Sequence, residues 1–147
     1  MRVVLQRVLN ADVKIDGKIT GKINRGYVLL VGFTHDDTTE DIKSVSKKIV
    51  NLRIFEDENE KMNYDLNSVK GEILSISQFT LYAKLDGRRP SFTNAMAFEQ
   101  ASKMYDLFNE ELRSYNIKVA TGIFGADMKI NLVNDGPVTI LIDSKEK

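Results

Sequence analysis

The spacing of apolar residues changes along this chain, and that change constrains the fold more than any other feature. In two segments the apolar residues recur at intervals of three and four, which is the spacing of one face of an α-helix. The remaining apolar segments alternate, or are apolar throughout, as β-strands are. Strand-like segments open the chain, follow each helical segment and close it. This order predicts an α+β fold in which two main helices cover a mostly antiparallel, barrel-like sheet.

Both helical segments have one apolar face and a candidate start. Thr38, with Asp41 three residues later, resembles a capping box in front of the first helix. The apolar residues of that helix are Ile42, Val45, Ile49 and Leu52. Those of the second, longer helix are Phe98, Ala101, Tyr105, Phe108 and Leu112. Ser91, Thr93 and Asn94 are candidate caps in front of the second helix.

The strands are expected at residues 3–9, 11–15, 27–33, 53–55, 72–82, 117–121, 128–133 and 138–142. Asp16-Gly17 is typical of a hairpin turn, and segment 134–137 is expected to be a tight connection between the last two strands. Segment 27–33 is apolar at every position, which predicts a strand buried on both faces.

Length and composition narrow the class of protein. A chain of 147 residues predicts one domain spanning 1–147. The 21 basic and 21 acidic residues cancel, whereas a protein that holds nucleic acid by bulk electrostatics normally has a basic excess. We therefore expect any RNA contact to be local and no DNA partner. The chain has no Cys, which excludes thiolate nucleophiles, disulfides and cysteine-bound zinc, and a single His.

Nothing in the sequence predicts a membrane protein. Arg2 interrupts the apolar opening of the chain, so no secretory signal is indicated. The longest apolar run, 27–33, is far shorter than the roughly 20 residues of a membrane span. A soluble, cytoplasmic protein without a membrane partner is expected.

Several polar groups are candidates for chemistry, each with a plainer interpretation. His35 has a suitable ordinary pKa for a general base, but no nucleophile motif adjoins it and a solvated loop residue is the favoured interpretation. Asp36, Asp37 and Glu56 could bind a divalent ion, although acidic residues at a helix start and in loops are usually structural or solvated. No metal site and no cofactor are predicted.

The densest basic cluster is the loop that carries Lys84, Arg88 and Arg89. Arginine side chains suit phosphate recognition, so this loop could bind a phosphodiester backbone, or it could be an ordinary exposed loop. Residues 122–125 have GxxG spacing, but apolar residues occupy its middle positions and a turn is expected.

Two further segments contain more polar or special residues than plain structure requires. Segment 75–82 places Ser, Gln and Thr in a predicted central strand, where buried polar groups need hydrogen bonds and could line a polar pocket. Segment 135–139 contains a Gly-Pro pair, which on spacing alone predicts a turn.

Together these two segments resemble the paired motifs of the D-aminoacyl-tRNA deacylase family. The motifs are residues 77–81 (Ser-Gln-Phe-Thr-Leu) and 134–139 (Asn-Asp-Gly-Pro-Val-Thr). Segments 1–8, 89–92 and 121–128 are also similar to the family, so the resemblance covers the whole chain. It implies a homodimeric α+β enzyme that hydrolyses the ester between a D-amino acid, or mischarged glycine, and the 3′-terminal adenosine of tRNA.

The resemblance also implies roles for individual residues. Gly136 and Pro137, joined by a cis bond, would reach into the partner subunit's site and exclude L-amino acids with their backbone carbonyls. The strand motif would form the rest of the pocket, through Ser77, Gln78, Phe79 and Thr80.

An aminoacyl ester is activated, so a positioned water or the substrate's own hydroxyl could be the nucleophile, with backbone N–H groups near Phe79 and Thr80 stabilising the oxyanion. Thr80 is the alternative nucleophile, but the sequence offers no evident base for its hydroxyl.

Two other classes of function remain open on the residues alone. One is a non-catalytic module that binds an RNA end through the loop from Lys84 to Arg89. The other is a metal-dependent hydrolase that uses Asp36, Asp37 and Glu56. Turnover of D-aminoacyl-tRNA distinguishes the first from an enzyme, and sensitivity to chelators tests the second.

Overall fold

A computed structural model describes residues 1–146. Its strands are β1 (Arg2–Ile15), β2 (Lys18–Ile23), β3 (Gly26–Gly32), β4 (Phe55–Glu56), β5 (Met62–Tyr64), β6 (Glu72–Ser77), β7 (Val119–Thr121) and β8 (Lys129–Asp143). The helices are α1 (Thr39–Asn51) and α2 (Phe98–Arg113). A short 3-10 helix, Phe79–Tyr82, follows β6 and is called the 79–82 turn below.

Six strands form one strongly curved sheet around β1. The order is β2-β1-β3-β6-β7, and β8 also pairs with β1 along most of its length. The pairs that involve β1 are antiparallel, whereas β3–β6 and β6–β7 are parallel. A separate two-stranded ribbon is formed by β4 and β5. The expected α+β fold, with two helices on a mostly antiparallel and barrel-like sheet, is confirmed.

Apolar side chains fill both faces of the sheet. The face covered by the helices contains Tyr27, Leu29 and Val31, while Val28 belongs to a second cluster on the other face. Because successive side chains of a strand point to opposite faces, burial of both explains why β3 is apolar throughout. No helix within residues 1–146 is both long and apolar enough to cross a bilayer.

The helices form where the spacing predicts them. Thr38 and Asp41 make the expected capping box. The Thr38 hydroxyl accepts a backbone N–H of the first turn, that of Glu40, and the Asp41 carboxylate accepts the backbone N–H of Thr38. The predicted caps of α2 are wrong: Ala97 occupies the N-cap position and no side chain caps the helix. Ser91, Thr93 and Asn94 lie in the preceding loop, where Ser91 pairs with Lys84 through the backbone.

Several predicted strand boundaries are wrong. Segments 3–9 and 11–15 are one strand, β1, and segments 128–133 and 138–142 are one strand, β8. Segment 53–55 contributes only Phe55 to a strand, β4. The strand predicted at 72–82 ends at Ser77, because the backbone of Gln78 (ψ of 81°) turns away into the 79–82 turn.

Segment 134–137 is a bulge within β8 rather than a connection between strands. Gln6 pairs with Thr139 and Val8 pairs with Asn134, so residues 135–138 lie opposite Arg7 alone. The Asn134 side chain closes the bulge by accepting the Val138 N–H at 2.8 Å. Extra residues in one strand bend it and re-aim its side chains, which is how the Gly-Pro pair comes to project from the sheet.

Candidate active site

A cavity of about 570 Å³ opens at the carboxyl end of β6. Its walls come from the end of β3, the start of the 79–82 turn, the first turn of α2 and the segment that precedes β8. Ser77, Gln78 and Phe79, three of the four pocket residues predicted from the sequence, line it. Thr80 is exposed one residue further along the turn.

The cavity exists because β6 extends beyond its neighbour β7. The last β6–β7 pair joins Ser75 and Thr121. The carbonyl oxygen of Ser75 then accepts a hydrogen bond from the buried Tyr105 hydroxyl at 2.6 Å instead of from a strand. Burial raises the pKa of the Tyr105 hydroxyl. From Ile76 onward β6 has no partner in β7, which leaves room for the cavity.

The 79–82 turn presents backbone donors beside this cavity. The Gln78 N–H donates to the carbonyl oxygen of Val31 at 2.7 Å, which fixes the start of the turn on β3. The next two N–H groups, of Phe79 and Thr80, open the turn, and the first N–H groups of a helical turn have no acceptor within it. Neither N–H group has an acceptor among residues 1–146, and two such donors beside a cavity can hold a negatively charged oxygen.

The Thr80 hydroxyl has an amide beside it rather than a base. Gln78 donates from Nε2 to Thr80 Oγ1 at 2.5 Å. An amide cannot remove a proton from the hydroxyl, and in residues 1–146 no carboxylate or imidazole is hydrogen-bonded to Thr80 Oγ1.

Two pairs of aromatic rings flank the cavity, and of their four members only Phe79 was predicted from the sequence to belong to the site. The rings of Phe79 and Phe92 meet edge to face at 4.9 Å, and those of Phe98 and Phe124 at 5.0 Å. The helical spacing predicted that Phe98 is buried, yet it is 63% exposed at the cavity. Gly125 makes this possible, since a Cβ there would lie 2.6 Å from the Phe98 ring.

Gly136 and Pro137 lie elsewhere in the same chain. Both are exposed, they do not line the cavity, and the bond between them is cis, as the resemblance implied. Gly136 has φ of +144°, and a Cβ there would lie 2.7 Å from Val138 Cγ2, so glycine is required.

A buried arginine is hydrogen-bonded to the backbone just before this Gly-Pro pair. Arg7 is 4% exposed and donates from Nε to the carbonyl oxygen of Asp135 at 3.0 Å. Its Nη1 donates to the carbonyl oxygen of Ile54 at 2.6 Å. This role was not predicted from the sequence, although a signal was present: Arg7 occupies an inward position in the alternation of Val3 and Leu5.

The basic loop follows the 79–82 turn directly. Backbone hydrogen bonds between Lys84 and Ser91 close it, at 2.7 and 2.9 Å. Lys84, Arg88 and Arg89 are all exposed, and the loop does not line the cavity. Lys84 pairs with Asp86 at 3.6 Å, so the two arginines carry most of the net positive charge of the loop.

A comparison with known protein families shows the family to which this chain belongs. A family model described as D-Tyr-tRNA(Tyr) deacylase matches residues 4–143, nearly the whole chain. The chain belongs to the D-Tyr-tRNA(Tyr) deacylase family. The resemblance inferred from the two motifs is thereby confirmed, and so is the prediction of an enzyme, since the family is one of hydrolases.

Relatives in this family align from end to end. Proteins named D-aminoacyl-tRNA deacylase from Bacillus cytotoxicus and Clostridium beijerinckii are 56% and 54% identical, covering 99% of this chain and 100% and 98% of theirs. A solved structure described as c-Myc DNA Unwinding Element Binding Protein is 40% identical with a TM-score of 0.93, covering 99% of this chain and 100% of that one. A probable eukaryotic D-amino acid tRNA deacylase, 21% identical with a TM-score of 0.83 over 96% and 97%, shares the fold.

The other candidate residues named from the sequence do not line the cavity. Asp37 is buried and pairs with the α-ammonium group of Met1 at 2.6 Å, whereas Glu56 lies 3.7 Å from Arg7. Across residues 1–146 no three His, Asp or Glu side chains are grouped to hold a metal ion. His35 is exposed, and its Nε2 lies 2.6 Å from the carbonyl oxygen of Thr93.

Proposed function

We propose that this protein hydrolyses the ester bond that joins a D-amino acid to the 3′-terminal adenosine of tRNA, releasing the free amino acid. The observation that carries the proposal is the cavity at the end of β6, which is bordered by the turn that the Phe79 and Thr80 N–H groups open, in a chain of the deacylase family. Its volume of about 570 Å³ lies in the range of small-molecule sites, which suits an aminoacylated nucleoside.

The aromatic pairs are suited to the terminal adenosine. Bases stack on exposed aromatic rings with a gain of about 1–3 kcal/mol each. Phe79 and Phe98 are the exposed members of the two pairs, and both line the cavity. A base stacked on one of these rings would leave the ester near the start of the 79–82 turn, which Phe79 opens.

The chemistry proposed needs no nucleophilic side chain. A water molecule attacks the ester carbonyl, either directly or after the 2′-hydroxyl of the terminal ribose has moved the acyl group to its own oxygen, and the carbonyl oxygen becomes an oxyanion. The N–H groups of Phe79 and Thr80 stabilise it, each such donor contributing about 10²–10³ in rate. Collapse of the intermediate breaks the ester bond and returns the proton to the ribose oxygen. Thr80 contributes its backbone rather than its hydroxyl. No metal or other cofactor takes part in this scheme.

Chiral selection is assigned to Gly136 and Pro137 of a second subunit. The pair is exposed and lies outside its own chain's cavity, so it could reach a cavity only in a partner. In a homodimer its backbone carbonyls would occupy the space needed by the side chain of an L-amino acid. Glycine has no side chain to exclude, so mischarged glycyl-tRNA would also be a substrate.

The remaining contact with tRNA is assigned to Lys84, Arg88 and Arg89, which are exposed next to the turn that borders the cavity. Because the chain is neutral overall, this contact is local, and we predict no binding to duplex DNA. We place the reaction in the cytoplasm, where aminoacyl-tRNA is used.

Filling the cavity tests where the reaction occurs. Ala126 lines the cavity, and Ala126→Leu adds bulk inside it, so deacylation of D-aminoacyl-tRNA and glycyl-tRNA should be lost. Ala97→Leu is the matched control, since Ala97 is exposed and outside the cavity. Equal activity of both variants would place the reaction elsewhere.

Mixing two inactive variants tests the contribution of the second subunit. Ala126→Leu has a blocked cavity and an intact Gly-Pro pair, whereas Gly136→Val keeps its cavity but displaces its Gly-Pro pair, since a Cβ there would lie 2.7 Å from Val138 Cγ2, so neither variant alone forms a complete site. If the pair acts in the partner's site, exchanged dimers contain one intact site, and activity is partly recovered on mixing. No recovery, with exchange shown by native mass spectrometry, would contradict a shared site.

A further inference from the structure

We propose that Arg2 is a positioning residue for this reaction, because its guanidinium fixes the end of the 79–82 turn against β1 and β8. The inference rests on the proposed function, since it concerns the turn whose N–H groups are assigned to the oxyanion. Arg2 does not line the cavity, so any effect on the reaction passes through the turn.

Three contacts of one guanidinium define this role. Nη1 of Arg2 donates to the carbonyl oxygen of Leu81 at 3.0 Å, within the turn. Nε donates to Oδ2 of Asp143 at 3.0 Å, at the end of β8. The guanidinium carbon also lies 4.5 Å from the centre of the Tyr82 ring, the distance of a cation–π contact. One side chain thus joins the turn to two strands.

The turn needs such support at its end because its own hydrogen bonds are few. Its start is held on β3, where the Gln78 N–H donates to Val31 and a Cβ at Gly32 would lie only 2.9 Å from the Gln78 carbonyl oxygen. The last carbonyls of a helical turn have no internal partner, and a basic side chain can satisfy them. Arg2 satisfies that of Leu81. The segment that carries Phe79 and Thr80 is therefore fixed on both sides.

Through Asp143, Arg2 is also connected to the strand that carries the Gly-Pro pair. This carboxylate belongs to β8, the strand whose bulge carries Gly136 and Pro137. A planar guanidinium can hold a carboxylate, a carbonyl and an aromatic face at once, which an ammonium group cannot do. We therefore expect Arg2→Lys to replace the function of Arg2 only in part.

Amide hydrogen exchange tests the structural half of the proposal without any activity assay. The N–H groups of Leu81 and Ala83 are hydrogen-bonded within the turn, to Gln78 and Thr80. In Arg2→Met their exchange should speed up by about tenfold or more as the turn opens locally. The matched control is Arg25→Met, since Arg25 lies 5.0 Å over the Phe55 ring, away from the turn. Equal exchange in both variants would overturn the proposal.

Single-turnover deacylation of D-tyrosyl-tRNA tests the catalytic half. Arg2→Met should lower the rate constant by about 10- to 100-fold with KM unchanged, because misplaced donors weaken only the transition state. Arg2→Lys should be intermediate, and Arg25→Met should match the wild type. A raised KM with an unchanged rate constant would show a contact with tRNA instead and would overturn the proposal.

Two controls keep the outcomes separate. If Arg2→Met does not fold, Asp143→Asn removes one partner of the guanidinium more gently and should raise the same exchange rates to a smaller degree. If the wild type does not deacylate D-tyrosyl-tRNA, the proposed function fails, while the exchange measurement still decides whether Arg2 fixes the turn.

Discussion

The Nε atom of Arg7 lies 3.0 Å from the carbonyl oxygen of Asp135, so a buried guanidinium holds the backbone immediately before Gly136. The same side chain satisfies the carbonyl of Ile54, which ties the bulge of β8 to the residue that precedes β4. The orientation of the Gly-Pro pair therefore depends on a charged residue in the interior of the protein.

Replacing Arg7 should disturb both stability and the reaction. Arg7→Met leaves the carbonyls of Ile54 and Asp135 without their donor, and a buried unsatisfied group costs about 1–3 kcal/mol. We expect a lower free energy of unfolding in urea and a deacylation rate reduced by about 10- to 100-fold. Arg53→Met is the control, because exposed Arg53 makes a similar contact to the Asn63 carbonyl at 2.8 Å. Wild-type activity in Arg7→Met would show that the reaction does not depend on the support that Arg7 gives to the Gly-Pro pair.

Thr80→Ala should retain deacylase activity. The hydroxyl accepts from an amide and has no base beside it, while its backbone N–H is unchanged by the substitution. We expect single-turnover rates within about tenfold of the wild type. A fall to the uncatalysed rate in a folded variant would instead assign the hydroxyl a direct chemical role.

Neutralising the basic loop should weaken tRNA binding and leave the chemical step intact. In the triple variant Lys84→Gln, Arg88→Gln and Arg89→Gln, KM should rise and its dependence on salt concentration should become shallower, since fewer phosphates are contacted. The matched control replaces three exposed lysines of α1, at positions 43, 47 and 48, with Gln. If both triple variants raise KM equally, the loop has no special contact with tRNA.

The ion pair of Arg2 with Asp143 should make part of the stability depend on pH. Burial raises the pKa of Asp143, but the Lys145 N–H and the Arg2 guanidinium outweigh it and the net shift is downward. A lowered folded-state pKa stabilises the fold above the unfolded value of about 3.9, and that contribution is lost as the pH falls below it.

Asp143→Asn removes that contribution and serves as its test. At pH 7 the variant should lose no more than about 1 kcal/mol of unfolding free energy, since the pair is partly exposed. The difference from the wild type should shrink as the pH falls below the unfolded value of about 3.9 and vanish below the lowered folded-state pKa, where the wild-type carboxyl is protonated as well. Asp106→Asn, at an exposed position of α2, is the control in the same urea titrations. A difference that persists at low pH would contradict an ionic origin.

The helices were predictable because each buries one face. Burial of Ile42, Val45 and Ile49 imposes a period that is visible without any knowledge of the partner surface. The same rule was wrong for Phe98, which has the helical spacing but faces the cavity. Periodicity identifies the face turned inward, and it cannot distinguish a core from the wall of a cavity.

The bulge of β8 was not predictable from local sequence. The residues Asn-Asp-Gly-Pro favour tight turns, and they are as compatible with a bulge as with a hairpin. The outcome is decided by β1, whose unbroken length gives both halves of β8 a partner. That partner is more than 100 residues away in the chain, so no local pattern contains the information. The position of Gly136 relative to a cavity is likewise set by other parts of the protein.

The most direct test of the account compares D-tyrosyl-tRNA with L-tyrosyl-tRNA, prepared on the same tRNA and incubated with the same purified protein. Both esters are hydrolysed slowly in buffer, so the rate above that background is the quantity of interest. We expect rapid release of D-tyrosine, with release of L-tyrosine at the background rate. Efficient cleavage of the L-ester, or no cleavage of the D-ester, would contradict it.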